Sequence, residues 1–448
     1  MLFQAPQGET TERMLVAPAH ENPEEVDDEN LPMATVVIPL NAYTRAHAGS
    51  SAGGSAAGSY AGGGFAGGSA GETKEESGCS RAVVLSSDEA SLLEIIKLAK
   101  EENDCKGVVD AMRAGRSSKV VLGKGLEAVA SLCENRDDRA EAHRVMFSKT
   151  LGGIPLLLEV MREHQGSIEI ARVSFLAVWY LSRNADIKRI IGESGGIPLL
   201  VEMLEEHGKS NVEVAKNGVI VLHNLSLNDD NRKRIGEADG IAMILKMMKV
   251  HGASNAEVAE NGVTALGNLA HNNDDNKKRI GEADGIAIIL SMMKEHGVSD
   301  AGVAEHGCWA LYKLTHNNIN NSKRIAETGG IAMILSMMEV HGAKKVGVAE
   351  KGCRALYNLS CSDNDNRKRI GEAGGIAMIL SMMEVHGASS AFVAEEGCGA
   401  LDNLAFNADN KRKILWANGV SMVERMKSTW ASSAGVQTYA DGALRNLS

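Results

Sequence analysis

Apolar residues recur at helical spacing along most of this chain, and glycines separate the helical stretches. The stretch Ile241–Met248 is apolar at a period near four residues, which predicts an amphipathic helix. A second apolar stretch runs from about Glu257 to Ala270, and a short polar one from about Asn231 to Ala238 precedes both. Asp229 and Asp230 can cap the short polar helix. The stripe predicted to be buried on the longest helix consists of Val258, Gly262, Ala265, Leu266 and Leu269.

Glycine and proline mark the turns between these predicted helices. Asp239-Gly240 ends the short first helix and turns the chain into the second. In earlier units Pro155 and Pro198 stand in the first turn of the second helix, where the missing N–H costs nothing. His251-Gly252 ends the second helix, and the glycine predicts a left-handed stop. The pattern is therefore a unit of one short and two longer helices.

This unit repeats with a nearly fixed period. The glycine that opens the second helix recurs at spacings of 43, 44, 45, 45, 45 and 44 residues. A period of this length is typical of a solenoid, in which each unit covers the apolar face of its neighbour. The array spans roughly residues 104–448 in about eight repeats, and an amphipathic helix from Asp88 to Lys100 is expected to cap its open end. The glycines are Gly153, Gly196, Gly240, Gly285, Gly330, Gly375 and Gly419.

Two phrases make the repeat specific. Gly-Gly-Ile-Pro opens the second helix, and Ala-Leu-x-Asn-Leu-Ser/Ala closes the third, as in Ala265–Ala270 and Ala355–Ser360. These phrases resemble the armadillo repeat family of β-catenin, importin-α and the yeast vacuolar armadillo protein. The resemblance implies an all-α fold, a right-handed α-solenoid (armadillo superhelix) of about eight three-helix repeats. HEAT repeats are the nearest alternative, but they usually lack the glycine-turned short first helix.

The resemblance also implies a binding site. In the armadillo family the exposed side of the third helix lines a concave groove, and the Asn of the closing phrase holds the backbone of an extended partner peptide. An amide suits this role because it both donates and accepts. Asn can also bond the adjacent repeat, so a structural role for the same residues stays open. The corresponding residues are Asn224, Asn268, Asn358, Asn403 and Asn446.

A second column of candidates precedes the asparagines by eight residues. Positions i, i+4 and i+8 drift only about 80° around a helix, so both columns share its outer half. We expect an acidic groove that prefers extended segments carrying Lys or Arg, and we expect charge reversal at this column to affect stability little. Nearly identical repeats could also carry these residues as relics of copying. The column is Glu260, Glu305, Glu350 and Glu395, with Lys216 in the third repeat.

Departures from the relatives limit what the resemblance implies. Importin-α pairs each groove Asn with a Trp four residues before it, and here only Trp309 matches, with Lys313 at its Asn position. Its tail is basic, whereas this one is acidic. A nuclear-import adaptor is therefore an alternative to a non-catalytic protein-binding scaffold. A substrate-recognition module of a ubiquitin ligase complex is another, although no U-box or RING segment is present in these 448 residues.

The first 85 residues have a different composition from the array at 86–448. Ala46–Gly71 is almost entirely Gly, Ala and Ser, and Glu21–Glu29 is acidic. Such a tract cannot bury a core, so we expect a disordered tail. Residues 1–80 carry 11 acidic and 3 basic residues, which is most of the net charge of −11 of the whole chain. The array itself is nearly balanced.

Charge and cysteine usage narrow the class further. The sequence pI is near 5.7, which disfavours nucleic acid as a partner, and the basic residues of the first helices are expected to be a solvated face. No stretch approaches the length of a spanning helix, and no secretory signal is present. Cys308, Cys353 and Cys398 recur at one helix position, which predicts small buried residues of a cytoplasmic or nuclear protein. We expect no cofactor, no metal and no membrane insertion; the oligomeric state stays open.

Histidines form a further column at the end of the second helices. If helices pack at normal distances, consecutive rungs are about 10 Å apart, which is too far for two rungs to share one metal ion. We expect each imidazole to face the last carbonyls of its own helix. The members are His164, His207, His251, His296, His341 and His386.

Overall fold

The computed structural model describes residues 88–361 and 363–448. These residues contain 24 α-helices and no strand, and all of them belong to one compact unit, Ser77–Ser448. The prediction of an all-α solenoid is confirmed. The predicted tail, its acidic and glycine-rich tracts and the boundary between residues 85 and 86 lie outside the described residues and stay predictions. No helix in the described ranges is long and apolar enough to cross a membrane.

A capping helix and eight repeats follow one another along the chain. Helix α1, Glu89–Glu101, follows the N-cap Asp88, whose carboxylate accepts from the Ser91 amide. The amphipathic helix predicted from Asp88 to Lys100 is therefore confirmed. The first helices are α4 Asp138–Val145, α7 Ala185–Glu193, α10 Asp229–Glu237, α13 Asp274–Glu282, α16 Ile319–Glu327, α19 Asn364–Glu372 and α22 Ala408–Trp416. The second helices are α2 Cys105–Ala114, α5 Gly153–Glu163, α8 Gly196–His207, α11 Gly240–His251, α14 Gly285–His296, α17 Gly330–Met337, α20 Gly375–His386 and α23 Gly419–Thr429. The third helices are α3 Lys119–Cys133, α6 Ile168–Leu181, α9 Val212–Ser226, α12 Ala256–Ala270, α15 Ala301–Thr315, α18 Val346–Ser360, α21 Ala391–Ala405 and α24 Ala434–Leu447.

Two adjacent residues make the turn from the first to the second helix. Asp239 takes the left-handed conformation, with φ of 58°, which Asp and Asn tolerate better than other non-glycine residues. Gly240 then starts α11, and a Cβ on it would lie 2.9 Å from the carbonyl oxygen of Ile235. The glycine that defines the period is therefore required by close approach, while the residue before it supplies the turn.

The glycine after the second helix has a different role from the one predicted. Gly252 has φ of −60°, so the expected left-handed stop is wrong. A Cβ on Gly252 would lie 2.5 Å from the sulfur of Met292 in the next repeat, and one on Gly297 would lie 2.6 Å from that of Met337. Glycine is needed here because the second helix of the following repeat packs directly on this point.

The first helices are joined by buried asparagines. Asn276 Nδ2 donates to the carbonyl oxygens of Arg232 at 3.0 Å and Leu269 at 2.9 Å, so one amide ties two repeats together. Gly236 lies against its Oδ1, where a Cβ would collide. The same pairing joins Gly192 to Asn231, Gly281 to Asn321, and Gly371 to Asn410. At the junction of α16 with α19 Ala326 replaces the glycine, and no bond from Asn366 to the preceding first helix is present among the described residues.

The basic residues of the first helices are less exposed than predicted. Arg232 is 8% exposed and Lys277 is 4% exposed. Each pairs with an aspartate one turn earlier: Arg232 with Asp229 at 2.6 Å, and Lys277 with Asp274 at 2.9 Å. In these repeats the first basic residue packs into the array and only its neighbours are solvated. The expectation of a mostly solvated basic face thus holds for these neighbours and fails for Arg232 and Lys277.

The histidine column joins repeats and does not cap its own helices. His251 Nε2 lies 2.8 Å from the carbonyl oxygen of Gly208, and His296 Nε2 lies 2.7 Å from that of Gly252. Because a carbonyl oxygen only accepts, Nε2 carries the hydrogen. The expected partner was therefore wrong for these residues, whose imidazoles reach the repeat before them. His164, the first member of the column, has a buried Nε2 without a hydrogen-bond partner among the described residues. The further rungs are His207 to Gln165, His341 to Gly297, His386 to Gly342 and, through an indole, Trp430 to Gly387.

The predicted core is confirmed residue by residue. Val258, Ala265, Leu266 and Leu269 of α12 have no exposed surface. The three cysteines of the column are also fully buried and unpaired, and burial raises the pKa of the Cys308 and Cys398 thiols to about 12. They are packing residues, as the spacing predicted.

Candidate functional site

The third helices of successive repeats pack against one another from α3 to α24. Their outward residues form one continuous surface, which we name the third-helix face. Positions on it are counted from the first residue of each third helix, so Glu260 is at position 5 of α12 and Asn268 at position 13. All residues predicted to contact a ligand lie at position 5, 9 or 13.

Position 5 of each third helix faces position 2 of the next one. Lys216 lies 3.0 Å from Glu257, and Arg172 lies 3.5 Å from Glu213. In repeats 4 to 7 position 5 is glutamate and position 2 of the next helix is not acidic. The position-5 column is therefore Arg172, Lys216, Glu260, Glu305, Glu350 and Glu395, and the residues that face it are Glu213, Glu257, Gly302, Gly347, Phe392 and Gly435.

The glutamates of this column lie at the first turn of the following third helix. Glu260 Oε1 would be 2.7 Å from a Cβ on Gly302, and Glu305 and Glu395 lie closer still to Gly347 and Gly435. Glu350 Oε1 accepts a hydrogen bond of 2.7 Å from the hydroxyl of Ser390, the N-cap of α21. Carboxylates are favourable at this end of a helix, so the column links repeats electrostatically.

These contacts leave the glutamates partly exposed. The Glu260 side chain keeps 22% of its surface and also lies 3.4 Å from His306 Nδ1. Burial raises the pKa of Glu395 despite the nearby Arg354. The column thus has a structural role that the sequence left open, and it still contributes acidic surface to the third-helix face. Its role in ligand binding stays a prediction.

The asparagines at position 13 bond to the repeat before them. Asn224 and Asn268 are buried, and their amides donate to the hydroxyls of Ser182 and Ser226, each at 3.0 Å. Asn358, Asn403 and Asn446 are partly exposed. Their Nδ2 atoms donate to the Tyr312 carbonyl at 3.3 Å, the Tyr357 carbonyl at 3.4 Å and Asp402 Oδ1 at 2.6 Å, respectively.

The fifth repeat interrupts the asparagine column with an aromatic and cationic cluster. Trp309 is 4% exposed and packs on Gly267, which has no side chain to obstruct it. Its Nε1 is buried and has no acceptor among the described residues. Lys313 Nζ lies 5.7 Å from the centre of the Trp309 ring and 5.0 Å from that of Tyr312. Trp309 therefore serves the packing between repeats, and its predicted ligand contact stays a prediction.

The surface opens at repeats 6 to 8. The rings of Tyr357 and Tyr439 lie 5.4 Å apart, and their hydroxyls 3.1 Å apart, across Gly399 of the repeat between them. Phe392 and Phe406, near the two ends of α21, are 53% and 61% exposed. Apolar and polar side chains are thus accessible together here, in contrast to repeats 3 and 4.

One buried carboxyl stands out on this part of the face. Glu396 is 8% exposed and pairs with Arg354 at 3.1 Å. Burial raises its pKa to about 7, against the opposing effect of the Arg354 charge. Burial also raises the pKa of Asp402, and the bond from Asn446 opposes that rise. These carboxyls lie on the same helix as Glu395.

Sequence reasoning missed several of these residues. Arg172 belongs to the position-5 column but lies in a repeat whose closing phrase is degenerate, and alignment of helix starts would have found it. Tyr357 and Tyr439 stand at different positions of helices that are two repeats apart, so no periodic signal links them. Phe392 was detectable, because its counterparts from the second repeat onward are glycine or glutamate.

No family model and no curated protein matches this chain. Among solved structures, an engineered protein from the Northeast Structural Genomics Consortium is 21% identical with a TM-score of 0.62, covering 80% of this chain and 88% of that one. A chain from a structure of the cadherin and beta-catenin interaction is 16% identical with a TM-score of 0.60, covering 80% of this chain and 78% of that one. A designed armadillo repeat protein in complex with the peptide (KR)4 is 18% identical with a TM-score of 0.48, over 56% of this chain and 99% of that one.

At these identities the likeness extends to the fold alone. The chain folds as a solenoid of armadillo-like repeats, as the closing phrases predicted.

Proposed function

We propose that this protein is a non-catalytic scaffold whose third-helix face binds an extended segment of a partner protein at repeats 6 to 8. The observation that carries the proposal is the exposure of Asn358, Asn403 and Asn446 on three consecutive third helices. In repeats 3 and 4 the equivalent Asn224 and Asn268 are buried. The segment therefore contacts the second half of the array.

The amide chemistry of these three residues supports backbone recognition. Asn358 and Asn446 each give one hydrogen bond from Nδ2 to the preceding repeat, and Asn403 gives two, to the Tyr357 carbonyl and to Cys361 Sγ. Because an amide has two N–H donors and an acceptor oxygen, Asn358 and Asn446 keep a donor for a peptide carbonyl, and all three residues keep an acceptor for a peptide N–H. Packed helices lie roughly 10 Å apart, which corresponds to about three residues of extended chain. Each rung would hold every third residue of the segment.

The charges on the same face favour a basic segment. Glu350 and Glu395 stand at position 5 of α18 and α21, eight residues before the exposed asparagines, and both are partly exposed. A Lys or Arg side chain lying across the helix would approach these carboxylates while the backbone is held at position 13. Phe392 offers an apolar contact beside Glu395. The proposed ligand is therefore extended, basic and able to place one apolar side chain at repeat 7.

Labelled eight-residue peptides test this proposal. The full chain is titrated by fluorescence anisotropy with an alternating Lys/Arg peptide, an alternating Glu/Asp peptide and a Gly/Ser peptide. Binding of the Lys/Arg peptide alone is the expected result, and it should weaken about tenfold in the double variant Asn358→Ala/Asn403→Ala.

The matched control is Asn320→Ala, an exposed asparagine on the first helix α16. It should bind the Lys/Arg peptide as the unmodified chain does. Equal binding by the double variant Asn358→Ala/Asn403→Ala would place the peptide elsewhere and overturn the proposed site. Equal binding of all three peptides would overturn the proposed preference for basic segments.

A further inference from the structure

The last repeat departs from the inner ones at two adjacent positions of its first helix. Leu415 and Trp416 end α22, and they are 42% and 91% exposed. The inner first helices have a glycine or alanine followed by a glutamate at these two positions, whereas α22 has two apolar residues. The inner residues are Gly192-Glu193, Gly236-Glu237, Gly281-Glu282, Ala326-Glu327 and Gly371-Glu372.

Leu415 is larger than the glycine or alanine at the same position of the inner first helices. At the inner junctions the equivalent glycine lies directly against an asparagine of the next repeat, as Gly371 does against Asn410. Leu415 therefore adds exposed apolar surface beside Trp416 where the inner first helices have a small residue.

Trp416 stands at the edge of a depression of about 440 Å³ between the first helices of repeats 7 and 8. The cations in it are already paired. Lys368 lies 3.9 Å from Glu372, Arg412 pairs with Asp409, and Lys413 donates to the carbonyl oxygen of Gly371 at 2.9 Å. The lining carries three cations and two carboxylates, and each cation already has a partner on the protein, so nucleic acid and phosphate are poor occupants.

A surface that carries a protruding ring, a depression and both signs of charge can be complementary to itself. Two-fold association requires this property, because each copy uses the same patch. Large aromatic side chains that enter such pockets dominate interface energies, and paired Lys and Arg residues still offer favourable faces to an indole.

We propose that two copies of this chain associate through the C-terminal end of the array, with Trp416 of each copy in the depression between α19 and α22 of the other. Trp416 is the anchor, and Leu415 adds apolar contact beside it. The contact lies on the first helices and leaves the third-helix face of both copies available. The resulting dimer presents two third-helix faces to its partners.

Sedimentation equilibrium of the full chain over about 1 to 100 µM tests the proposal, with reductant present so that the cysteines do not link copies. The unmodified chain should show a concentration-dependent dimer. Trp416→Glu restores the residue of the inner repeats, so the fold is retained, and it should raise the dimer dissociation constant about tenfold or more.

Phe392→Ser is the matched control, since it removes an exposed aromatic residue from the third-helix face of the neighbouring repeat. It should leave the dimer unchanged. A chain that stays monomeric at every concentration overturns the proposal, and so does a dimer that Trp416→Glu leaves intact. The proposed peptide binding is independent of both outcomes, because Trp416→Glu should bind the Lys/Arg peptide normally.

Discussion

The Lys216 ammonium of the third repeat lies 3.0 Å from the Glu257 carboxylate of the fourth. One junction further, Glu260 occupies the lysine's position and Gly302 the glutamate's. A basic residue thus meets an acidic side chain, and an acidic residue meets a bare helix N-terminus. In both arrangements the charged side chain at position 5 faces a charge, or a helix-end partial charge, of opposite sign in the next repeat. The sign of the charge at position 5 therefore depends on the residue at position 2 of the next third helix.

Lys216→Glu should destabilise the array by about 1 kcal/mol, because it places two carboxylates together in a partly buried pair. Adding Glu257→Gly recreates the pairing of Glu260 with Gly302 and should recover part of that loss, although glycine itself costs up to about 1 kcal/mol in a helix. Urea unfolding of the two single variants and the double variant gives the coupling energy. Lys249→Glu, at an exposed position, is the control. A coupling energy near zero would contradict the charge matching.

Glu350→Gln/Glu395→Gln should weaken binding of the Lys/Arg peptide and reduce its salt dependence, because the charge is lost while the shape is kept. Lysine at these positions is a poorer test than the sequence suggested. It would place a cation at the next helix N-terminus and remove the bond from Ser390 to Glu350, so we now expect charge reversal to lower stability. Titrations at two salt concentrations measure the effect.

The control for this pair is Glu295→Gln/Glu339→Gln, which removes the same charge from exposed positions of the second-helix segments. If this control weakens the peptide as much, then net charge alone governs binding and the position-5 column has no special role.

Gly281→Ala should destabilise the array by about 1 to 3 kcal/mol, although alanine is the better helix former by about 1 kcal/mol. The reason is the Oδ1 of Asn321, which lies where the new Cβ would stand. The reverse change, Ala326→Gly, gives Asn366 room to reach the preceding first helix and should cost less than the intrinsic propensity implies. Chemical denaturation of both variants checks the pair. Stabilisation by Gly281→Ala would show that the first helices tolerate separation.

Glu396 makes stability depend on pH near neutrality. Its folded pKa of about 7 lies above the ordinary value of 4.5, so the folded state binds more protons than the unfolded state between these values. The favourable contribution is complete below pH 4.5 and is lost as pH rises through 7. The melting temperature of Glu396→Gln should therefore rise relative to that of the unmodified chain on going from pH 5 to pH 8. The corresponding relative change in the free energy of unfolding has an upper bound of about 3 kcal/mol. An unchanged difference between the two proteins across this range would mean that Arg354 holds Glu396 ionised.

Trp430 continues the histidine column with an indole N–H, which donates to the Gly387 carbonyl at 2.7 Å. Trp430→Phe keeps an aromatic ring but leaves that carbonyl unpaired, and we expect a loss of about 1 kcal/mol beyond the packing change. Trp430→His restores the residue type of the inner rungs and should recover the hydrogen bond. Thermal unfolding compares the two variants. Equal stability would show that the ring, and not the N–H, holds the last junction.

The sequence by itself determined the unit and its repetition. The apolar stripe of α12 and the fixed glycine period specify three helices per repeat, because helical periodicity acts over a few residues. The predicted cap of α10 was wrong: Asn228, and not Asp229 or Asp230, accepts from the Asn231 amide. The same local signals gave the buried cysteine column and the capping helix α1. They also located the third helices as the surface on which Asn358 and Asn403 lie.

Only the tertiary structure decided what the repeated residues contact. His251 reaches the repeat before it and not its own helix, Gly252 accommodates Met292 and not a left-handed turn, and Glu350 meets Ser390 of the next repeat. Each of these partners is about one period away in sequence, and their distance depends on how closely adjacent repeats pack. A periodic sequence fixes which residues recur together, but the separation of successive helices decides which recurring residues are buried at a junction and which remain available to a ligand.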